Sequence, residues 1–260
     1  MDNRPIGILD SGFGGLSILA SVKEILPKEA IIYFGDSAFA PYGEKEPELI
    51  RTRVLKIINF LKKNNVKLVV VACNTATVVG IDYYRSKSPS LPIVGVVPVV
   101  KRAASVAKNK RIALLATAKT IASPYQGILI RKFARGFEVK QVAADSLVKE
   151  LENGQLEQAK KDVVEIVRKE ALNSFDTLVL GCTHFVFLKK ALTEAFPNLS
   201  ILDSSEAVAR QVKRILENNR ALGEGKFEKF FTSGETGKFR EGTEKLLERK
   251  ISQVESLPLK

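Results

Sequence analysis

Short apolar runs alternate with amphipathic stretches along almost the whole chain, and this alternation constrains the fold more than any other feature. The runs Ile6–Leu9, Ile31–Phe34, Lys67–Ala72, Ile93–Val97, Arg111–Ala116, Glu138–Val142, Thr177–Leu180 and Ser200–Leu202 have strand length, with a further candidate at Glu228–Phe231. Helical spacing recurs between them. Leu49, Val54, Leu55, Ile57, Ile58 and Leu61 mark one helix over Leu49–Lys62, and Leu156, Ala159, Val163, Val164, Ile166 and Val167 mark another over Leu156–Ala171. Phe185–Phe196 and Ala207–Leu216 read the same way. Strands separated by helices predict an α/β protein whose sheets are mainly parallel. At 260 residues the chain has room for one large domain or two of ordinary size. Ser86–Pro92 and Asn218–Gly225 are the most loop-like stretches.

Composition removes several classes. Hydrophobic residues make up 45% and charged residues 27%, enough for a real core and a soluble surface. No apolar run reaches membrane-spanning length, and the N-terminus lacks signal-peptide order. A reducing, cytoplasmic setting with free thiols is the expectation. The formal charge of +12 favours polyanions. The basic residues are scattered over apparent helix faces, without the interleaved aromatics of a base-stacking surface. Solvated helix faces are the better reading, with weak nucleic-acid binding as a side expectation.

A faint internal echo places the chemistry. Leu68-Val-Val-Val-Ala-Cys73-Asn-Thr75 is an apolar strand running into a cysteine and a threonine, and Thr177-Leu-Val-Leu-Gly-Cys182-Thr-His184 repeats it. These are the only two cysteines, and His184 is the only histidine. Each cysteine stands where an apolar run ends, not inside it as a structural cysteine usually does. The N–H groups of a following helix would favour its thiolate. Two similar lobes, each with a cysteine at the carboxyl end of a strand, would explain the echo, since open α/β sheets bind ligands there. Three rival uses are weaker. Zinc would find at most three ligands and no C-x-x-C pair. A disulfide suits a different compartment. A thiol hydrolase built on Cys182 and His184 leaves Cys73 without a role.

Other segments offer polar groups at strand ends. Asp10-Ser-Gly-Phe-Gly-Gly15 leads from a strand into a helix starting near Leu16, and it is neither G-x-G-x-x-G nor a P-loop. Its N–H groups suit a carboxylate, and Asp10 suits an ammonium group or the partner of a base; helix capping is the equal alternative for Asp10. Gly35–Gly43 is a polar-aromatic loop in which Tyr42 either binds or packs. Thr117 and Thr120 sit at a strand-to-helix junction where capping alone would account for them.

Together Asp10-Ser-Gly-Phe-Gly-Gly-Leu16, Gly35-Asp36, Pro41-Tyr-Gly43, Val71-Ala-Cys-Asn-Thr-Ala-Thr77, Leu180-Gly-Cys-Thr-His184 and Asp203-Ser204 resemble the glutamate racemases of the aspartate/glutamate racemase superfamily, over nearly the whole chain. The resemblance implies two α/β lobes, residues 1–96 with 208–260 and residues 97–207, with the active site in the cleft between them. It implies cofactor-free interconversion of L- and D-glutamate, which supplies D-glutamate for peptidoglycan. In that scheme Cys73 takes the α-proton of D-glutamate and Cys182 that of L-glutamate. Asp10 partners Cys73, and His184 partners Cys182. Glu152 is the acidic helper, with Glu150 as the alternative. Ser11, Tyr42, Gly43, Asn74, Thr75, Thr117, Thr120, Thr183 and His184, with Asp10, match substrate-contact positions. No metal or cofactor is implied; a homodimer is, since related enzymes are often dimers. Phe185-Val186 replaces the family's aromatic-proline pair, Gly95–Val99 lacks the usual Glu-Pro, Ala116 stands where glycine is common, and Asp145–Ser146 lacks Cys-Pro. None of these removes a catalytic group. Aspartate racemisation is the nearest rival activity, and nucleic-acid binding or regulation through the +12 charge is the rival class.

Overall fold

A computed structural model describes residues 1–259. In chain order its strands and helices are β1 (Ile6–Asp10), α1 (Leu16–Ile25), β2 (Ile31–Gly35), α2 (Pro47–Lys63), β3 (Leu68–Val71), α3 (Asn74–Lys87), β4 (Ile93–Gly95), α4 (Val100–Val106), β5 (Arg111–Ala116), α5 (Ala118–Ile121), α6 (Pro124–Phe133), β6 (Glu138–Ala143), α7 (Asp145–Glu152), α8 (Leu156–Lys169), β7 (Thr177–Leu180), α9 (Lys189–Ala195), β8 (Ser200–Leu202), α10 (Ser205–Asn218), β9 (Glu228–Thr232), α11 (Thr236–Leu247) and β10 (Val254–Ser256). They form two compact units, one of Met1–Val96 with the chain from Ser205 onward, the other of Val97–Ser204.

The first unit holds a six-stranded sheet in the order β10-β9-β2-β1-β3-β4, parallel throughout. The second holds a four-stranded parallel sheet in the order β6-β5-β7-β8. The two orders match. Counted within its own unit, each sheet runs second, first, third, fourth strand, and the first unit adds β9 and β10 outside its second strand. The Cys73 and Cys182 echo is therefore the trace of a repeated topology. Its strands read as continuous Val/Ile/Leu runs because helices cover both faces, and β1, β2, β3 and β7 are buried at every position.

Four sequence expectations change. Phe185–Phe196 is not one helix: Thr183–Leu188 is a 3-10 segment, and α9 starts only at Lys189. In a 3-10 turn residues three apart eclipse, and Phe185 and Leu188, three apart, are both fully buried. The tighter winding lets one short segment bury both. Helix α2 begins at Pro47, and its buried stripe is Ile50, Val54, Ile57, Ile58 and Leu61; Leu49 faces solvent. Helix α8 stops at Lys169, since Ala171 turns left-handed (φ 51°). The loop predicted at Ser86–Pro92 also begins later, because α3 runs through Lys87.

Candidate active site

In a parallel sheet, ligands bind beyond the carboxyl ends of the strands where the chain reverses its direction of strand addition. In the first unit β2 adds on one side of β1 and β3 on the other, so that point lies between β1 and β3. Asp10 closes β1 and Cys73 follows β3. In the second unit the corresponding point lies between β5 and β7. Thr117 follows β5, and Cys182 follows β7 with one glycine between. The sequence-derived site residues thus gather into two clusters, one in each unit.

The cluster in the first unit comprises Asp10, Ser11, Tyr42, Gly43, Cys73, Asn74 and Thr75. Cys73 is the N-cap of the fourteen-residue α3, and its sulfur accepts from the Ala76 N–H at 3.5 Å. It also lies 3.8 Å from the Ser11 hydroxyl. A thiolate here has a backbone donor, a hydroxyl and the positive end of a four-turn helix to stabilise it. Asp10 is fully buried, and its Oδ2 accepts from the Gly12 N–H at 3.1 Å. Gly15 is required where the Asp10–Gly15 loop turns back on the strand ends. A Cβ there would lie 2.7 Å from Asp10 Cβ and 2.9 Å from Ala72 Cβ, with no room to shift. Asn74 donates weakly to the Val96 carbonyl (3.5 Å), while its buried Oδ1 has no hydrogen-bond partner among the described residues and stands ready as an acceptor.

Tyr42 opens a 3-10 turn, Tyr42–Glu44, after a cis Ala40–Pro41 peptide. Its hydroxyl donates to Asp36 Oδ2 at 2.8 Å, and burial, reinforced by the Asp36 charge, pushes the phenol's pKa well above its usual value. The hydroxyl is thus committed as a neutral donor inside the protein. What remains for a ligand is the backbone of Tyr42 and Gly43, whose N–H groups, at the start of a helical turn, have no acceptor within it.

The cluster in the second unit comprises Thr117, Thr120, Glu152, Cys182, Thr183 and His184. His184 bridges the other two chemical groups. Its Nδ1 lies 3.7 Å from Cys182 Sγ, and its Nε2 lies 2.5 Å from Glu152 Oε1. Complete burial opposes a charge on the ring. The hydrogen bonds to Cys182 and Glu152 outweigh it and raise the imidazole pKa well above its usual value. Both partners thus favour the protonated ring, which lies against a sulfur. Glu150, the alternative helper, turns instead towards Asp162, and burial first, then that neighbouring carboxylate, raises its pKa. Thr117 caps α5, accepting from the Thr120 N–H at 3.3 Å, and its hydroxyl donates to Thr120 Oγ1 at 2.9 Å, so the capping role is real. Both thiols are free, and among the described residues no three His, Cys, Asp or Glu side chains are gathered as a metal site would need. No helix among the described residues is long and apolar enough to cross a membrane.

Sequence reasoning assigned no role to Asp36 and missed Arg53. Gly35-Asp36 stood among the matching motifs. Nothing local marks Arg53, whose partners lie in a loop seventeen residues earlier and near the far end of the chain.

Each unit thus carries one thiol at the switch point of its parallel sheet, and comparison with known proteins supplies the family. A family model described as Asp/Glu/Hydantoin racemase matches residues 6–212. The glutamate racemase of Pseudomonas entomophila (strain L48) is 36% identical over 262 residues, covering 99% of this chain and 98% of its own. The Escherichia coli glutamate racemase, solved in complex with L-glutamate and the activator UDP-MurNAc-ala, is 32% identical with a TM-score of 0.85, covering 98% of each chain. The Francisella tularensis enzyme, solved with D-glutamate, is 28% identical with a TM-score of 0.83, covering 99% of this chain and 98% of its own. The chain belongs to the Asp/Glu/hydantoin racemase family and, within it, to the glutamate racemases, amino-acid racemases of the isomerase class.

Proposed function

We propose that the chain interconverts L- and D-glutamate without a cofactor, Cys73 and Cys182 acting as the two bases on opposite faces of one α-carbon. In the L-to-D direction the Cys182 thiolate takes the α-proton. The S–H bond forms as the Cα–H bond breaks, and the electron pair stays on the substrate as a carbanion delocalised into its carboxylate. The Cys73 thiol then gives its proton to the opposite face and is left as thiolate. The reverse direction exchanges the roles. Cysteine suits both, because an ordinary thiol pKa of about 8.5 keeps both forms accessible near neutral pH. With no cofactor to take up the negative charge, preorganised donors must stabilise it.

The observation that carries this reading is the matched placement of the two thiols, each just beyond the third strand of its unit, beside the end of the first. Substrate identity rests on the two relatives solved with glutamate enantiomers. D-Glutamate made this way would supply peptidoglycan synthesis, and free thiols suit a reducing, cytoplasmic setting.

The test is polarimetric decay of L-glutamate in deuterium oxide without added cofactor. Wild type should bring the signal to zero, with deuterium at Cα of the D product and none in residual L-glutamate early in the reaction. Cys73→Ala and Cys182→Ala should each abolish decay. A wild-type protein that leaves L-glutamate unchanged sinks the reading, as does a single-cysteine variant that still racemises at a rate near wild type.

A further inference from the structure

We infer that Arg53 is a positioning residue for racemisation: its guanidinium fixes the 36–43 loop and so places the Tyr42–Gly43 backbone for the substrate. The inference rests on the reading of the chain as a glutamate racemase with Tyr42 and Gly43 at the substrate. Arg53 lies on α2 but off its buried stripe of Ile50, Val54, Ile57, Ile58 and Leu61. It therefore contributes little to packing the helix on the sheet. Its contacts go elsewhere. Nε donates to Asp36 Oδ2 at 2.7 Å and Nη2 to Asp36 Oδ1 at 2.6 Å, a two-pronged grip on a carboxylate with no exposure. The guanidinium carbon lies over the Phe39 ring, 4.4 Å from its centre, and Phe39 meets Tyr42 edge-on, ring centres 6.0 Å apart. Nη1 donates to the Leu259 carbonyl at 3.2 Å.

The loop is wrapped around this cation, while Lys45 Nζ also lies over Phe39, 5.0 Å from the ring centre. Asp36 at its start is held by both prongs, Phe39 in its middle covers the face, and Tyr42 near its end touches both Phe39 and Asp36. Ser233 adds a fourth bond to Asp36, donating to Oδ1 at 2.6 Å. A planar fork does this and an ammonium does not, because only the fork reaches both carboxylate oxygens while presenting a face to an aromatic ring. Displacing the loop would weaken glutamate binding without touching either thiol.

The experiment is steady-state kinetics in both directions on Arg53→Lys, Arg53→Ala and Phe39→Leu beside wild type. KM for L- and D-glutamate should rise about tenfold in Arg53→Lys and further in Arg53→Ala, with kcat held within about threefold. Guanidinium ion at tens of millimolar should restore the KM of Arg53→Ala, and ammonium ion should not. Phe39→Leu keeps both prongs and should raise KM by less; with Arg53→Lys it carries the test if Arg53→Ala does not fold. Wild-type KM in Arg53→Lys overturns the inference, as does a fall in kcat at constant KM, which would place Arg53 in the chemical step. If wild type itself does not racemise glutamate, the functional reading and this inference fail together; if it does and the variants bind normally, only the inference fails.

Discussion

The His184–Glu152 pair can be tested directly because the chain has a single histidine, so one imidazole signal reports one site. The perturbation is Glu152→Gln. It keeps the side chain's size and an acceptor for Nε2–H, and it removes the charge 2.5 Å from the ring. A hydrogen bond to a charged acceptor is worth about 1.5–3 kcal/mol against about 0.5–1.5 for a neutral one, so the loss is at least ~1 kcal/mol. Full Coulomb attraction between unit charges 4 Å apart at an effective dielectric near 20 sets the upper bound at about 4 kcal/mol. At 1.36 kcal/mol per factor of ten, the ring's proton affinity should fall between roughly fivefold and roughly a thousandfold. The assay is the pH dependence of the His184 imidazole ¹⁵N shifts. The wild-type ring should stay charged well above the ordinary histidine midpoint, and the variant's midpoint should move down. The same pair enters stability. A ring that holds its proton more tightly folded than unfolded stabilises the fold fully below about pH 6.5, and the contribution vanishes as pH rises through the folded midpoint. Glu152→Gln should therefore lower the urea midpoint more at pH 6 than at pH 9. A wild-type ring that titrates at or below the ordinary midpoint, or a variant within about threefold of it, refutes the reasoning.

Further expectations concern the frame behind the two clusters. Gly80→Ala would ordinarily help a helix by about 1 kcal/mol, but here the new Cβ would meet Tyr84 Cζ and Oη, each 2.4 Å away, on a ring with no exposure. Overpacking of about 1–3 kcal/mol should win and lower the melting temperature; a raised one contradicts it. Lys67 and Glu29 form a buried ion pair at 2.5 Å, and Lys67 also donates to the carbonyls of Asp2 and Ala221. Lys67→Met strands the Glu29 carboxylate and should cost about 3–5 kcal/mol in urea denaturation, and adding Glu29→Gln should recover part of it. Glu235 caps α11 by accepting from the Gly237 and Lys238 N–H groups at 2.7 and 2.6 Å. Glu235→Ala should cost about 1 kcal/mol and leave glutamate turnover unchanged; a larger loss would mean that α11 supports more than its own end.

What was legible in the sequence was whatever repeats at short range. Fully buried parallel strands leave apolar runs, so β3 and β7 showed plainly, and the cysteines drew notice because each ended such a run. Elements with little apolar content did not show. β10 buries one residue, Val254, and α11 buries only Phe239 and Thr243 along twelve residues that include two glycines. The 3-10 segment after Cys182 was hidden because Phe185 and Leu188 fit a helical stripe as well as a tighter one. Long-range polar contacts leave no local trace at all. The Asp36 bond to Ser233 spans 197 positions, and the Glu152 bond to His184 spans 32, so only the assembled unit distinguishes Glu152 from Glu150.

The two cysteines have different surroundings, and the proposed chemistry gives that difference a purpose. Cys73 heads a fourteen-residue helix, whose summed peptide dipoles and first free N–H groups supply about half a positive charge. Cys182 heads six residues of 3-10 winding, too short to supply the same field, and has instead the buried His184 ring, held by Glu152 and favoured in its protonated form. Each turnover leaves the protons exchanged, one sulfur gaining what the other loses. If only one sulfur were stabilised as an anion, that proton arrangement would dominate at rest and one direction would wait on a proton returning. Stabilising both keeps the two arrangements within reach of each other. The imidazolium can be lost by titration and a helix field cannot, so the balance should tilt at high pH. There the Cys182 anion loses its support while the Cys73 anion keeps its own. The resting enzyme should then favour the Cys73 thiolate, which turns over D-glutamate. Because L- and D-glutamate are equal in free energy, kcat/KM must stay equal in the two directions. The tilt should therefore show as KM and kcat for D- and L-glutamate diverging together as pH rises, with their ratios unchanged.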